Sequence, residues 1–189
     1  MKPRFLVILG STREGRIGEK VAGWLLHKLD ARPEAIFELV DLRDHPLPIY
    51  EGPSGDRPSL AVQRWKDKVA AADGYIVVTP EYNHGYPAGL KSALDHAYVE
   101  WNRKPVAFVS YGGHAAGYRS VEQLRLVAVE LQMVPIREQV GIQAPWAAFD
   151  ADGELTRGSA EEAVSRMVDD LLRWARALRQ ARVADPIPA

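Results

Sequence analysis

Runs of consecutive apolar residues alternate along this chain with stretches whose apolar side chains recur every three or four positions. The first run, "RFLVILG", contains Val7 to Leu9 and stops at Gly10. It reads as a strand covered on both faces. From Ile17 the period changes: Ile17, Val21, Trp24, Leu25 and Leu29 share one face of a helix. "IFELVDL", residues 36–42, alternates as a second strand, and residues 43–58, rich in Pro, Gly and Asp, form a long loop. "SLAVQRWKDKVAAAD" is helical with Ser59 as its N-cap. "GYIVVTP" is a third strand and "AGLKSALDHAYVEW" a third helix. "PVAFVSYGG" is a fourth strand, followed by the helix "SVEQLRLVAVELQ". "MVPIREQVGI" is a weaker fifth strand. A long final helix begins at Ser159, with Ser159 and Glu162 spaced as a capping box, and the tail "ADPIPA" frays.

Strand and helix thus alternate five times. This order predicts an α/β fold: one five-stranded parallel sheet, order 2-1-3-4-5, with helices on both faces. No repeat or boundary divides residues 1–189, so one domain is expected. Ligands of such sheets bind beyond the carboxyl ends of the strands, where the strand order reverses. Three connections with unusual residues follow strands one, three and four, at 10–18, 80–89 and 110–118. Those strands are neighbours in the expected order, so the loops meet at one edge.

Composition narrows the partners. The 189 residues carry 24 Lys plus Arg against 25 Asp plus Glu, which gives no basic excess for nucleic acid or an anionic membrane. No cysteine is present, which excludes disulfides, thiol catalysis and thiolate metal sites and accords with a reducing cytoplasm. The N-terminal apolar run is too short for a signal peptide or a spanning helix.

The first loop, "GSTREGRIGEKVAGWL", fits neither well-known nucleotide loop. A dinucleotide fingerprint requires G-x-G-x-x-G, whereas Gly10 is followed by Ser11 and Thr12. Gly10 and Gly15 have Walker A spacing, but Arg16 and Ile17 replace its Lys and Ser/Thr, so a P-loop hydrolase lacks its magnesium hydroxyl. What remains is a helix N-terminus whose amides and dipole favour a phosphate. Ser11 and Thr12 add hydroxyls, and Arg13 and Arg16 add charge-assisted donors. An ordinary strand-to-helix turn with solvated arginines is the alternative. The second loop, "TPEYNHGYPAGLKSALD", has the composition of a fixed turn, with Tyr82 and Tyr86 offering flat surface.

Together with "SYGGHAAGYRSVEQLR", these two segments resemble the NADPH-dependent FMN reductase family and its quinone, chromate and azo-dye reductases, which share a flavodoxin-like fold. The most specific string stands here as Pro80, Glu81, Tyr82, Asn83, Pro87, Leu90, Lys91, Leu94 and Asp95. The resemblance implies that Ser11 and Arg13, beside Thr12, bind the phosphate of FMN, with the amides of Arg16, Ile17 and Gly18 completing the cradle. A second Ser or Asn is frequent near position 18 in the family. Gly18 has no such side chain, so only its backbone contributes. Pro80, Glu81, Tyr82 and Asn83 would line the flavin ring through backbone groups, with Ser110, Tyr111, Gly112 and Gly113 along its other side.

The implied activity is FMN-dependent NAD(P)H oxidoreduction. Hydride passes from NADPH or NADH to FMN and on to a small-molecule acceptor (a flavin, quinone, azo compound or metal oxyanion) in a ping-pong cycle. The flavin carries the chemistry, so no catalytic side chain is required. A flavodoxin-like electron carrier is the main rival. The family also implies a homodimer or homotetramer built through the helix that begins near Leu90.

Other signals are weaker. His27, His45, His84, His96 and His114 show no zinc spacing, and "FDADGEL" lacks the ligands of a calcium loop and reads as a turn. No G-x-S-x-G elbow supports an esterase. Trp65, Trp101 and Trp174 sit at helical spacings and read as core or interface.

Overall fold

The computed structural model describes residues 2–50, 58–156 and 160–186. Five strands, β1 (Arg4–Leu9), β2 (Ile36–Asp41), β3 (Gly74–Pro80), β4 (Pro105–Gly112) and β5 (Val134–Gln143), form a parallel sheet in the order β2-β1-β3-β4-β5. The helices are α1 (Gly18–Asp30), α2 (Leu60–Ala70), α3 (Ala88–Asp95), α4 (Tyr118–Glu130) and α5 (Ala160–Ala184). The expected fold is therefore present, and β1 lies between β2 and β3, where the order reverses.

The apolar runs divide by strand period. Phe5, Val7 and Leu9, with Ile76, Val78, Ala107 and Val109, face one core completed by α1 and α5. Leu6 and Ile8, with Tyr75, Val77, Val106 and Phe108, face a second core containing Trp65, Leu90, Leu94 and Leu124. Side chains of successive strand residues point to opposite faces, so a strand buried on both sides must be apolar throughout.

Ser59 caps α2, its Oγ accepting from the Val62 amide, as expected. The capping pair expected at Ser159 and Glu162 includes a residue outside those described, as do parts of the long loop and of the tail. The third helix is shorter than its apolar spacing predicts. It ends at Asp95, and the chain then turns so that the Trp101 indole Nε1–H donates to the Leu94 carbonyl at 3.0 Å. Spacing reports which side chains are buried, and a buried turn satisfies it as well as a helix does.

Trp65 and Trp101 are core residues, whereas Trp174 is partly exposed. "FDADGEL" is a turn: Asp150 Oδ1 accepts from the amides of Asp152 and Glu154, and Gly153 has φ +83°. Among the described residues no helix is long and apolar enough to cross a membrane.

Candidate functional site

β1 delivers Ser11 to the sheet edge, where the Gly10 amide still pairs with the Val78 carbonyl at 2.9 Å. Ser11 is fully buried, and its Oγ lies 2.8 Å from the Tyr82 hydroxyl, 71 residues along the chain. The Arg13 guanidinium is 5.6 Å from the centre of the Tyr82 ring, within cation–π range. The Arg13 side chain remains exposed, and its amide points to Ser11 Oγ at 3.4 Å. Thr12 packs over the start of α3, where a Cβ on Gly89 would meet its hydroxyl at 3.2 Å. The first two loops thus meet each other and the start of α3, in the connection that leads into α1. Ile17 at its N-cap supplies no side-chain hydrogen bond, so the first amides of α1 lack the usual capping acceptor.

Arg16 departs from expectation. Its guanidinium turns inward, forks onto both carboxylate oxygens of Asp41 at the end of β2, and donates to the Ser11 carbonyl. Its Nε reaches Glu19 at 3.2 Å, and the side chain is 1% exposed. The hydrogen bond to Asp41 leads the causes that raise the Arg16 pKa, and the same bond holds the Asp41 carboxyl below its ordinary value. Arg16 is therefore a brace holding the loop to β2, and only its backbone faces the helix terminus. A forked pair with a carboxylate satisfies the planar guanidinium better than solvent does at this depth.

The second loop is fixed, as its composition suggested. Tyr82 and Gly85 exchange backbone hydrogen bonds at 2.9 and 3.0 Å around Asn83 (φ +50°) and His84 (φ +69°). Successive positive φ values make this a tight hairpin turn, and asparagine tolerates its first position. Helix α4 ties the turn down. Arg119 Nε donates to Glu81 Oε1 at 2.6 Å, Arg119 NH1 donates to His84 Nε2 at 2.7 Å, and Gln123 holds the His84 carbonyl at 2.9 Å. The Glu81 amide pairs with the Tyr111 carbonyl at 3.0 Å, joining the second loop to the third.

In the third loop Ser110 also departs from expectation. It is fully buried, and its Oγ donates to the Ala116 carbonyl at 2.8 Å, so it shapes the β4–α4 turn and does not line the open face. Gly117 (φ +82°) completes that turn, where a Cβ would lie 2.7 Å from the Tyr111 amide. Gly112 is half-buried, where a Cβ would lie 3.1 Å from the Gly117 amide, and Gly113 stays at the surface. A Cβ on Gly113 would meet only Trp146, at 4.0 Å, and Trp146 is 70% exposed.

Ser11 and Arg13 of the first loop thus meet Tyr82 of the second, and a backbone bond from Glu81 to Tyr111 joins the third, whereas the Arg16, Ser110 and Tyr111 side chains turn inward. Sequence reasoning missed Asp41, Arg119 and Trp146. Asp41 was detectable in principle as an acid ending the strand beside β1. Arg119 lies inside the third motif with no role attached. His84 sits in the turn held by Arg119, and His114 is exposed.

Residues 3–147 match the family model described as NADPH-dependent FMN reductase. The chain belongs to that family. An NAD(P)H-dependent FMN reductase of Schizosaccharomyces pombe is 43% identical over 137 residues, 69% of this chain and 68% of its own. A 2-hydroxy-1,4-benzoquinone reductase of a Burkholderia species is 29% identical over 184 residues, 93% of this chain and 98% of its own. Among solved structures, the flavoenzyme NAD(P)H:(acceptor) oxidoreductase of Paracoccus denitrificans superposes with TM-score 0.75 at 26% identity, covering 93% of this chain and 98% of its own.

FMN and NAD(P)H are accordingly the cofactor and the electron donor, and the enzyme reading prevails over the non-enzymatic carrier. The rim fits such a flavin. The α1 terminus has no side-chain cap, Gly113 leaves one side of the rim open, and a buried Tyr111 hydroxyl beside α1 has no partner among the described residues.

Proposed function

We propose that Ser11, Thr12, Arg13 and the first amides of α1 hold the FMN phosphate. Pro80 to Asn83 and Tyr111 to Gly113 flank its ring. One observation carries this reading: Ser11, Arg13 and Tyr82, from two loops 71 residues apart, meet in the connection that leads into an uncapped helix. Bound there, FMN supplies the hydride and electron chemistry, and the protein positions it and tunes it. With the Tyr82 and Gly85 amides paired inside the fixed turn, the Asn83 and His84 amides are its donors for the ring, held without reorganising, which favours negative charge on it. Arg119 and Gln123 keep that turn in place.

The side bounded by Gly113 and Trp146 admits flat molecules, so NAD(P)H and an oxidised acceptor take the same place in turn. The Burkholderia relative's name supports a quinone as one acceptor. Exposed Leu126 and Val129 on α4, with exposed Tyr98 bonded to Gln132 just beyond that helix, support self-association into a homodimer or homotetramer. We place the enzyme in the cytoplasm and treat the whole chain as one flavodoxin-like domain.

The test is direct. Purified protein should show flavin absorbance, release FMN on denaturation, and oxidise NADPH or NADH in steady state when a benzoquinone is supplied. Protein that neither copurifies with flavin nor quenches the fluorescence of added FMN would overturn the reading. Leu126→Glu should lower the mass found by light scattering, and an unchanged mass would move the interface elsewhere.

A further inference from the structure

Tyr111 ends its side chain in an unusual place. The residue is 3% exposed, and its hydroxyl is sealed from water with no hydrogen-bond partner among the described residues. Burying an unsatisfied hydroxyl costs about 1–3 kcal/mol, so a native structure that retains one needs a reason. The surroundings supply it. The ring packs in the core between the sheet and α1, and its oxygen lies against Gly18, the first residue of α1. A Cβ built at Gly18 collides with that oxygen and comes within 2.9 Å of Leu9 Cδ1. Glycine at 18 is thus required by Tyr111, and the phenol occupies the space a side chain at 18 would fill. Arg13, Arg16 and Tyr82 are close enough to act on the phenol electrostatically, while burial is the main cause that raises its pKa.

We infer that the Tyr111 hydroxyl is a donor to the terminal phosphate of FMN, supplied from β4 where α1 carries no side chain to supply one. The inference rests on the flavin reading above. Three observations converge on it: an uncapped helix terminus, a buried donor without an acceptor beside that terminus, and an Arg16 side chain already committed to Asp41. An anion at the terminus satisfies the helix amides and the hydroxyl together. Because the hydroxyl is closed to solvent, a side chain must move first. The Tyr82 hydroxyl, now on Ser11 Oγ, is the group a phosphate oxygen would replace.

The test is Tyr111→Phe in the full-length protein, stripped of flavin and titrated with FMN and with riboflavin. Riboflavin has the same ring without the phosphate. A hydrogen bond to a charged group corresponds to an expected loss of about 10- to 100-fold in FMN affinity, with riboflavin affinity unchanged. The ligand-free melting midpoint should not fall, since the lost hydroxyl had no partner. Equal weakening of both ligands would make Tyr111 a packing residue, and unchanged FMN affinity would remove the contact; either result overturns the inference. Wild-type protein that binds riboflavin as tightly as FMN would instead show that the phosphate cradle itself is misplaced, and the inference would fall with it.

Discussion

The two ends of the parallel sheet solve the same problem differently. At the amino end, polar groups are buried among aromatics and satisfied by the chain itself. Lys104 Nζ donates to the Val69 and Ala70 carbonyls at 3.0 and 2.9 Å, capping the C-terminus of α2. Tyr75 donates to the Val69 carbonyl at 3.0 Å, and the Trp65 indole to the Ala93 carbonyl at 2.7 Å. Trp65, Tyr75 and Trp101 meet in edge-on contacts, with ring centres 6.0 and 4.6 Å apart. At the carboxyl end the charges are equally well paired, yet Tyr111 OH and Glu81 Oε2 are buried without partners among the described residues, and α1 begins without a side-chain cap. The amino end is complete as it stands. The carboxyl end is organised around groups the chain does not itself supply. Changes at the amino end should therefore appear as lost stability, and changes at the carboxyl end as lost ligand.

The largest effect is expected from Trp101→Ala. Removing a fully buried indole costs about 3–5 kcal/mol, and the mutation also removes the indole donor from the Leu94 carbonyl, which keeps its backbone partners. Urea unfolding should lose that much stability, while the folded fraction binds FMN with wild-type affinity. A large fall in FMN affinity of folded protein would mean the two ends are not separable.

Asp41→Asn comes next, and it tests a carboxyl-end element that the chain does satisfy by itself. Breaking a buried ion pair costs about 3–5 kcal/mol. Asp41 is 22% exposed and Arg16 keeps Glu19, so about 2–3 kcal/mol is expected. The loop brace would also loosen, and FMN should bind less tightly. The wild-type contribution is present above the ordinary aspartate pKa and fades as pH falls through the lowered folded value. Destabilisation by Asp41→Asn should therefore shrink in acid. A mutational loss that stays constant down to pH 3 would contradict the pairing.

Arg13→Ala should leave stability almost unchanged, because the side chain is exposed and its contact is with Tyr82. FMN affinity should fall about 10- to 100-fold, the value of one hydrogen bond to a charged group, and riboflavin affinity should hold. Equal losses for both ligands would make Arg13 structural.

The contrast between the ends also explains what the sequence discloses. β1, β3 and β4 are legible because a strand covered on both faces has no polar position to confuse the pattern. Their order and the loop motifs then place Ser11, Arg13 and Tyr82 at one edge. Arg16 misleads because its partner, Asp41, lies 25 residues away on another strand, and a loop read locally shows only a cation beside a helix terminus. Ser110 misleads for a similar reason: its acceptor at Ala116 exists only once the turn at Gly117 closes. Gly18 reads as an absent ligand until the Tyr111 phenol is seen in its place.

The smallest expected effect probes the completeness of the amino end. Burial lowers the Lys104 pKa from 10.5 to about 8, with Arg182 lowering it further and Asp73 and Glu100 opposing. Below pH 8 the folded protein carries this charge at a desolvation cost that the two carbonyls only partly offset. Between pH 8 and 10 the unfolded chain binds more protons at this site than the folded one does, so stability should rise with pH. Each tenfold change in proton affinity corresponds to about 1.4 kcal/mol; allowing for relaxation, a rise of about 1–2 kcal/mol is expected. Tyr75, whose pKa burial pushes well above its ordinary value, remains protonated when folded and opposes this trend only as pH approaches 10. Lys104→Met removes the titrating group and keeps the apolar stem, so its unfolding free energy should lack the rise. If wild type and Lys104→Met show the same slope between pH 8 and 10, the carbonyls of α2 stabilise the ammonium as well as water does, and the amino end is complete in charge as well as in packing.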